Sequence, residues 1–167
     1  MKALLPAAAS MLLVACAGAG YGYANSNYAH RLPPGTQVMV TQAISIPGGG
    51  SGTYFQGGRE VTPMQVVSWS DACSVHPGVP QDQAVEVQPG EYRIVKTGAN
   101  QIGVEWNTME YNTNLTLESA SGGGTLRISC TRRVFEPDRV SNPGTYITVA
   151  RLNEAFGDYL KVPTPAQ

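Results

Sequence analysis

Cys73, His76 and Cys130 are the residues whose types and spacing first suggest chemistry. Cys73 lies three positions before His76, and a thiolate beside an imidazole can act as a nucleophile or as half of a metal site. A zinc site takes three or four nitrogen or sulfur donors. His30 is the only other histidine, so Cys73-x-x-His76 lacks its second half and no metal is expected. The chain has no Cys-x-x-Cys redox pair. A serine hydrolase would draw on His76, yet no Gly-x-Ser-x-Gly elbow is present, and Ser51 between Gly50 and Gly52 reads as a loop serine. Glu105 with Glu110, or Glu86 with Glu91, would serve glycoside hydrolysis only if the carboxyls faced each other at about 5–10 Å. On strands such glutamates are more ordinarily exposed. The glycine runs at 48–50 and 122–124 lack the Lys-Ser/Thr of a phosphate loop and read as turns, so no cofactor is expected.

The chain has 167 residues, 42% hydrophobic and 14% charged, a size for one domain with short appendages. Eleven basic against 12 acidic side chains give a net charge of −1, which argues against a nucleic-acid footprint. Gly 19 and Pro 12 favour short strands and many turns over long helices. In residues 36–46, Val38, Val40, Ile44 and Ile46 share one parity, the pattern of a half-buried strand. The run 48–52 reads as a hairpin loop, and 53–56 with 59–61 as a second hairpin around Gly57-Gly58. Residues 64–73 alternate Val67 and Trp69 against Val66 and Ser68, with 76–80 as a loop after them. Residues 84–88 and 91–96 flank Pro89-Gly90. Ile102, Val104 and Trp106 share a side in 102–111, followed by Leu115 and Leu117, then Leu126, Ile128 and Cys130. Near the end, Val149, Leu152 and Phe156 are spaced as one helical face, with Thr148 as N-cap and Gly157 just past the end. Residues 158–162 read as a returning edge strand. The expected fold is mainly β: an antiparallel β-sandwich or small barrel with one short C-terminal helix.

The N-terminus carries an address. Lys2 precedes an apolar stretch from Ala3 to Ala15, too short for a permanent span of about 20 residues but suited to a signal peptide. It ends in Leu13-Val14-Ala15-Cys16, which resembles the lipobox of bacterial lipoproteins. The resemblance implies diacylglycerol transfer to the Cys16 sulfur, cleavage before Cys16 and acylation of the new amino group. Each buried CH₂ of such chains contributes about 0.8 kcal/mol, so two or three chains hold a protein firmly on a membrane. Ala17, in place of the Asp that favours inner-membrane retention, implies an outer-membrane, periplasm-facing location. The expected organisation is a signal peptide at 1–15, the lipidated Cys16 and a flexible tether to 35, a β-domain at 36–162 and a tail at 163–167. In that oxidising compartment Cys73 and Cys130 remain as an even pair, expected to form a disulfide. Closing a loop of that length stabilises by about 4 kcal/mol in the chain-entropy picture.

With no catalytic set in view, the sequence points to a non-enzymatic lipoprotein that binds or scaffolds another envelope component. It would touch the membrane through its lipid and a protein partner through its domain, with no nucleic acid. Candidate partner-binding residues are Tyr54 and Phe55, and Arg132 and Arg133 within the local basic concentration that also holds Arg127 and Arg139. Trp69, Trp106 and Tyr111 are watched with them; each of these aromatics reads most simply as core, yet an aromatic at a sheet edge is how a partner would be gripped. Ser51-Gly52-Thr53-Tyr54 resembles the Ser-Gly-x-x-Tyr loop of membrane-bound lysozyme inhibitors, lipid-anchored β-barrels with a disulfide, with the tyrosine one place early. That implies a periplasmic inhibitor of a lysozyme-type hydrolase as an alternative. A cell-wall or glycan hydrolase built on His76 is the other. Replacing Cys16 by Ala is expected to move the protein from the detergent phase to the aqueous phase when cells are extracted and phase-partitioned.

Overall fold

Alternating burial builds this molecule. The computed structural model describes residues 27–50, 52–135 and 146–164. The expected signal peptide, Cys16, Ser51, Arg139 and the last three residues lie outside them. The strands are β1 (Gln37–Val40), β2 (Ile44–Ile46), β3 (Thr53–Gln56), β4 (Arg59–Val61), β5 (Ala72–Pro77), β6 (Val85–Val87), β7 (Gly90–Glu105), β8 (Thr108–Ser119), β9 (Thr125–Phe135) and β10 (Leu160–Lys161), with helix α1 (Val149–Phe156). Eight of them form one antiparallel sheet in the order β10-β1-β7-β8-β9-β5-β3-β4, curled into a half-barrel. β2 and β6 pair separately as a small ribbon.

Register explains the core. Val38 faces Tyr92, Ile94 faces Leu117, Leu115 faces Ile128, Ile128 faces Val75 and Cys73 faces Phe55 across successive strand pairs. Directly opposed residues share a face, so all of these point into the hollow of the half-barrel, and all are buried. Cys73 and Cys130 are opposed in the β5–β9 pair and joined by a disulfide, as expected. β5 and β9 are not joined by a short turn, so the cross-link fixes the register of a long-range seam.

Helix α1 fills the mouth of the half-barrel. It packs on β3, β4 and β5 on one side and on β10 on the other, so it bridges the two ends of an open sheet. Val149, Leu152, Ala155 and Phe156 are its buried face. The Phe156 ring lies 5.0 Å from that of Phe55, and Tyr159 lies 4.9 Å from Phe55 on the same cluster. The Thr148 hydroxyl accepts from the Arg151 amide at 3.3 Å, the expected cap. Asn153 donates to the Val162 carbonyl and accepts from the Val162 amide, both at 2.8 Å, and so imitates a strand partner that pins the chain after β10.

Several expected boundaries differ. Residues 36–46 are two strands in two sheets: the β1–β10 pairing runs on to Thr41, whose amide donates to the Tyr159 carbonyl at 2.9 Å, and the chain bends at Gln42 before β2 pairs with β6. The 48–52 run therefore crosses between unpaired strands instead of closing a hairpin. Residues 64–71 are not a strand: a 3-10 turn at Pro63–Gln65, boxed by Thr62 and Gln65, opens a loop there. Strand β5 continues through His76 and Pro77, which were expected in a loop. Residues 102–111 are the tip of a hairpin that turns at Trp106-Asn107. The tether ends earlier than residue 35: Ala29 and Leu32 are buried in the core, and the Ala29 amide donates to the Ile147 carbonyl at 3.0 Å.

The Gly57-Gly58 turn touches the end of α1, where the Gly58 amide donates to the Ala155 carbonyl at 3.1 Å. A Cβ on Gly157, whose φ is +58°, would sit 2.6 Å from the Gly58 Cα. Gly157→Ala should therefore destabilise by about 2 kcal/mol or more, combining a left-handed φ with a backbone clash. Gly122→Ala, at φ +83° but in open space, should cost about 1 kcal/mol. Urea unfolding of the two variants beside the parent checks the difference.

Candidate functional site

Beside α1 the half-barrel leaves a groove of about 1000 Å³, walled by the β3–β4 hairpin, the 65–71 loop, Arg132 and the exposed flank of the helix. The loop is held by backbone-like bonds. The Gln56 side chain donates to the Val67 carbonyl and accepts from the Val67 amide, both at 2.9 Å. On its other side the Arg133 amide donates to the Ser68 carbonyl at 2.9 Å. Trp69 is thereby presented at the rim, 54% exposed. The walls carry three arginines, Arg59, Arg132 and Arg151, and three carboxylates, Glu60, Asp71 and Glu154. Asp71 and Arg151 form an ion pair between the loop and the first turn of α1. The second Asp71 oxygen and the Arg132 Nε are buried without a hydrogen-bond partner. A groove of mixed charge with an indole at its lip suits a ligand that carries both signs and a flat or apolar part.

The candidate residues separate. Arg132 and Arg133 point to opposite faces: Arg132 is opposite buried Tyr111 and lines the groove, whereas Arg133 pairs with Glu110 at 3.2 Å on the outer face. Tyr54 is half-buried on the outer face, opposite Val61 and Ser74. Phe55 is a correction: it is fully buried under α1 and offers nothing to a partner. Tyr111 is likewise buried, its ring edge-on to that of Tyr146 at 5.2 Å. Trp106 stands at the hairpin tip, far along the sheet from Phe55. Of the loop that suggested a lysozyme inhibitor, Ser51 lies outside the described residues, and Gly52 to Tyr54 enter β3.

His76 is on the outer face, away from the groove. Its Nε2 is 2.9 Å from the Ser74 Oγ, and Arg127 is opposite it in β9. Among the described residues no carboxylate bonds to this imidazole, and no group of three His, Cys, Asp or Glu side chains is placed to hold a metal ion. Arg59, Glu60, Asp71, Arg151 and Glu154 were missed by sequence reasoning. The one available signal was helical phase, which puts Arg151 and Glu154 off the apolar face of α1; their meeting with Asp71 is a product of the fold.

Comparison with family models, curated proteins and solved structures yields no significant match.

Burial lowers the pKa of both histidines. For His76 desolvation leads, Arg127 adds to it, and a backbone hydrogen bond at Gly50 works the other way. For His30 desolvation leads and Arg31 adds. A lowered folded pKa means the unfolded chain protonates first, so stability is full above the ordinary histidine value of about 6.5 and declines as pH falls below it. The urea midpoint should drop on acidification from about pH 7.5 to about pH 5. The drop should be smaller in the double variant His30→Gln, His76→Gln.

Proposed function

We propose that the chain is a bacterial lipoprotein, moored by lipid on Cys16 to the periplasmic face of the outer membrane, whose half-barrel binds another envelope component without chemistry of its own. The lipobox resemblance supports the mooring. The observation that carries the binding reading is the groove: Trp69 at its rim, with Arg59 and Arg132 on walls that also hold three carboxylates. An active site gathers titratable groups around one reacting point. Here Asp71 and Arg151 neutralise each other, and His76 and Ser74 sit on the opposite face of the sheet. Ready-made ion pairs and a rigid indole are instead the equipment of a recognition surface, where a large aromatic and a guanidinium supply most of the affinity.

The test is a crosslinking experiment in native cells, with a photoreactive residue at the exposed position Met64 beside the groove. A defined adduct should form, and Trp69→Ala should diminish it by roughly 30-fold, the equivalent of a hot-spot loss of about 2 kcal/mol. Arg59, like Trp69, is exposed, so Arg59→Ala should weaken the adduct without touching the fold. Absence of any adduct, with the protein present at its normal level, would count against binding at this groove.

A further inference from the structure

The β7–β8 hairpin runs past the rest of the sheet. β1 pairs with β7 only as far as Arg93, and β5 pairs with β9 only as far as Thr131, so the distal part is a ribbon of three strands. Its end is apolar. Trp106 is 90% exposed, Ile102 and Phe135 are exposed beside it, and Val104 is half-exposed. Across residues 102–108 and 134–135 the only charged side chain is Glu105, and the Glu110–Arg133 pair lies next to them, opposite Ile102.

The chain before β1 leads toward that end. Residues 35 and 36 lie beside Ile94: the Gly35 amide donates to the Ile94 carbonyl at 2.7 Å, and the Ile94 amide to the Thr36 carbonyl at 2.9 Å. Earlier in the chain, the His30 ring is 4.8 Å from Tyr146, which is edge-on to Tyr111. Tyr111 is opposite Gln101 in β7. From residue 36 back to residue 30 the chain thus runs along β7 on the tip side of Ile94, and its first described residues, 27–29, bond to residues 147–149 at the start of α1. Cys16 is 11 residues before Asn27, a chain that covers at most about 40 Å.

We propose that this tip is a second membrane contact, with Trp106, Ile102 and Phe135 seated in the headgroup–acyl boundary of the phospholipid leaflet that holds the Cys16 lipid. The inference rests on the lipoprotein reading above. An indole 90% exposed at a turn, with Ile102 and Phe135 near it and the nearest described arginine, Arg133, already neutralised by Glu110, matches the interfacial preference of tryptophan instead of charge-driven adsorption. One acyl anchor and one aromatic tip would set the domain upright on the membrane, whereas the lipid alone leaves it free to tumble on its tether.

The chain's two tryptophans make the test direct. Full-length lipidated protein carrying Trp69→Phe reports Trp106 alone, and protein carrying Trp106→Phe reports Trp69 alone. Each is reconstituted into phosphatidylethanolamine–phosphatidylglycerol vesicles, floated, and read by emission wavelength and by quenching with phospholipid brominated near the glycerol end of its chains. The expected result is a blue-shifted, bromine-quenched Trp106 and an unquenched Trp69. Protein that floats with its vesicles while Trp106 emits as in water overturns the tip contact and leaves the anchor standing. Protein that fails to float overturns both. Trp106 shielded without vesicles, in proportion to protein concentration, assigns the tip to a second copy of the chain and also overturns the proposal.

Discussion

An antiparallel sheet that curls through eight strands without closing exposes a hollow lined with aliphatic side chains, and the hollow must be filled by something outside the sheet. In this protein α1 fills it. Leu152 and Phe156 enter the mouth against Phe55, and Tyr159 completes the cluster. Burying such side chains is worth about 1.5–3 kcal/mol each, which makes this short helix a structural plug and not an appendage. The close approach of Gly58 and Gly157 follows from the same need: the hairpin turn and the helix end must touch backbone to backbone for the plug to seat. The groove is the by-product, the space left where the helix flank and the hairpin diverge.

That origin explains the chemistry of the groove. The flank of α1 that does not enter the core is polar by amphipathic necessity, so Arg151 and Glu154 face outward from it. The loop before β5 faces them and supplies Asp71. The Asp71–Arg151 pair is partly sheltered, so both ends lose some water and gain each other; its value lies in fixing where the loop stands relative to the helix more than in net stability. With the loop fixed, Trp69 is held at the rim, which would lower the entropy cost of the recognition proposed above.

Period-2 burial was legible along the chain because it is local. Val38 and Val40, Leu115 and Leu117, and Ile128 and Cys130 all face inward as their parity predicts, and the 3–4 spacing of Val149, Leu152 and Phe156 located the helix with its cap. Alternation failed at 64–73, where Val67 and Trp69 imitate a strand face but the backbone is bonded to the Gln56 side chain instead of to a ladder. It also misjudged Phe55 and the tether. Parity says that a residue faces inward or outward, but which face of an open sheet is covered depends on a helix 100 residues away. Ala29 and Leu32 sit in a small-residue, Gly- and Tyr-rich stretch whose pattern has no period, yet each finds a place in the core. The site was less legible still, since the Asp71–Arg151 and Ser68–Arg133 bonds that build the groove join segments far apart in sequence, and Arg132 and Arg133, neighbours in the chain, serve opposite faces.

The disulfide belongs to the same logic of long-range closure. β3–β4, β7–β8 and β8–β9 are joined by short turns that set their own register. β5 and β9 have no such turn between them, and their seam unites the β3–β4–β5 half of the sheet with the β7–β8–β9 half. A slip of one residue there would turn Val75 and Cys73 outward and strip α1 of the floor it packs against. Cys73 and Cys130, opposed at that seam, forbid the slip covalently and constrain the unfolded chain as well. A half-barrel whose two halves are registered by a thiol oxidation folds best where thiols oxidise. Export behind a lipobox would deliver the chain to such a place, so the cross-link in the sheet and the N-terminal address proposed above are consistent with one compartment.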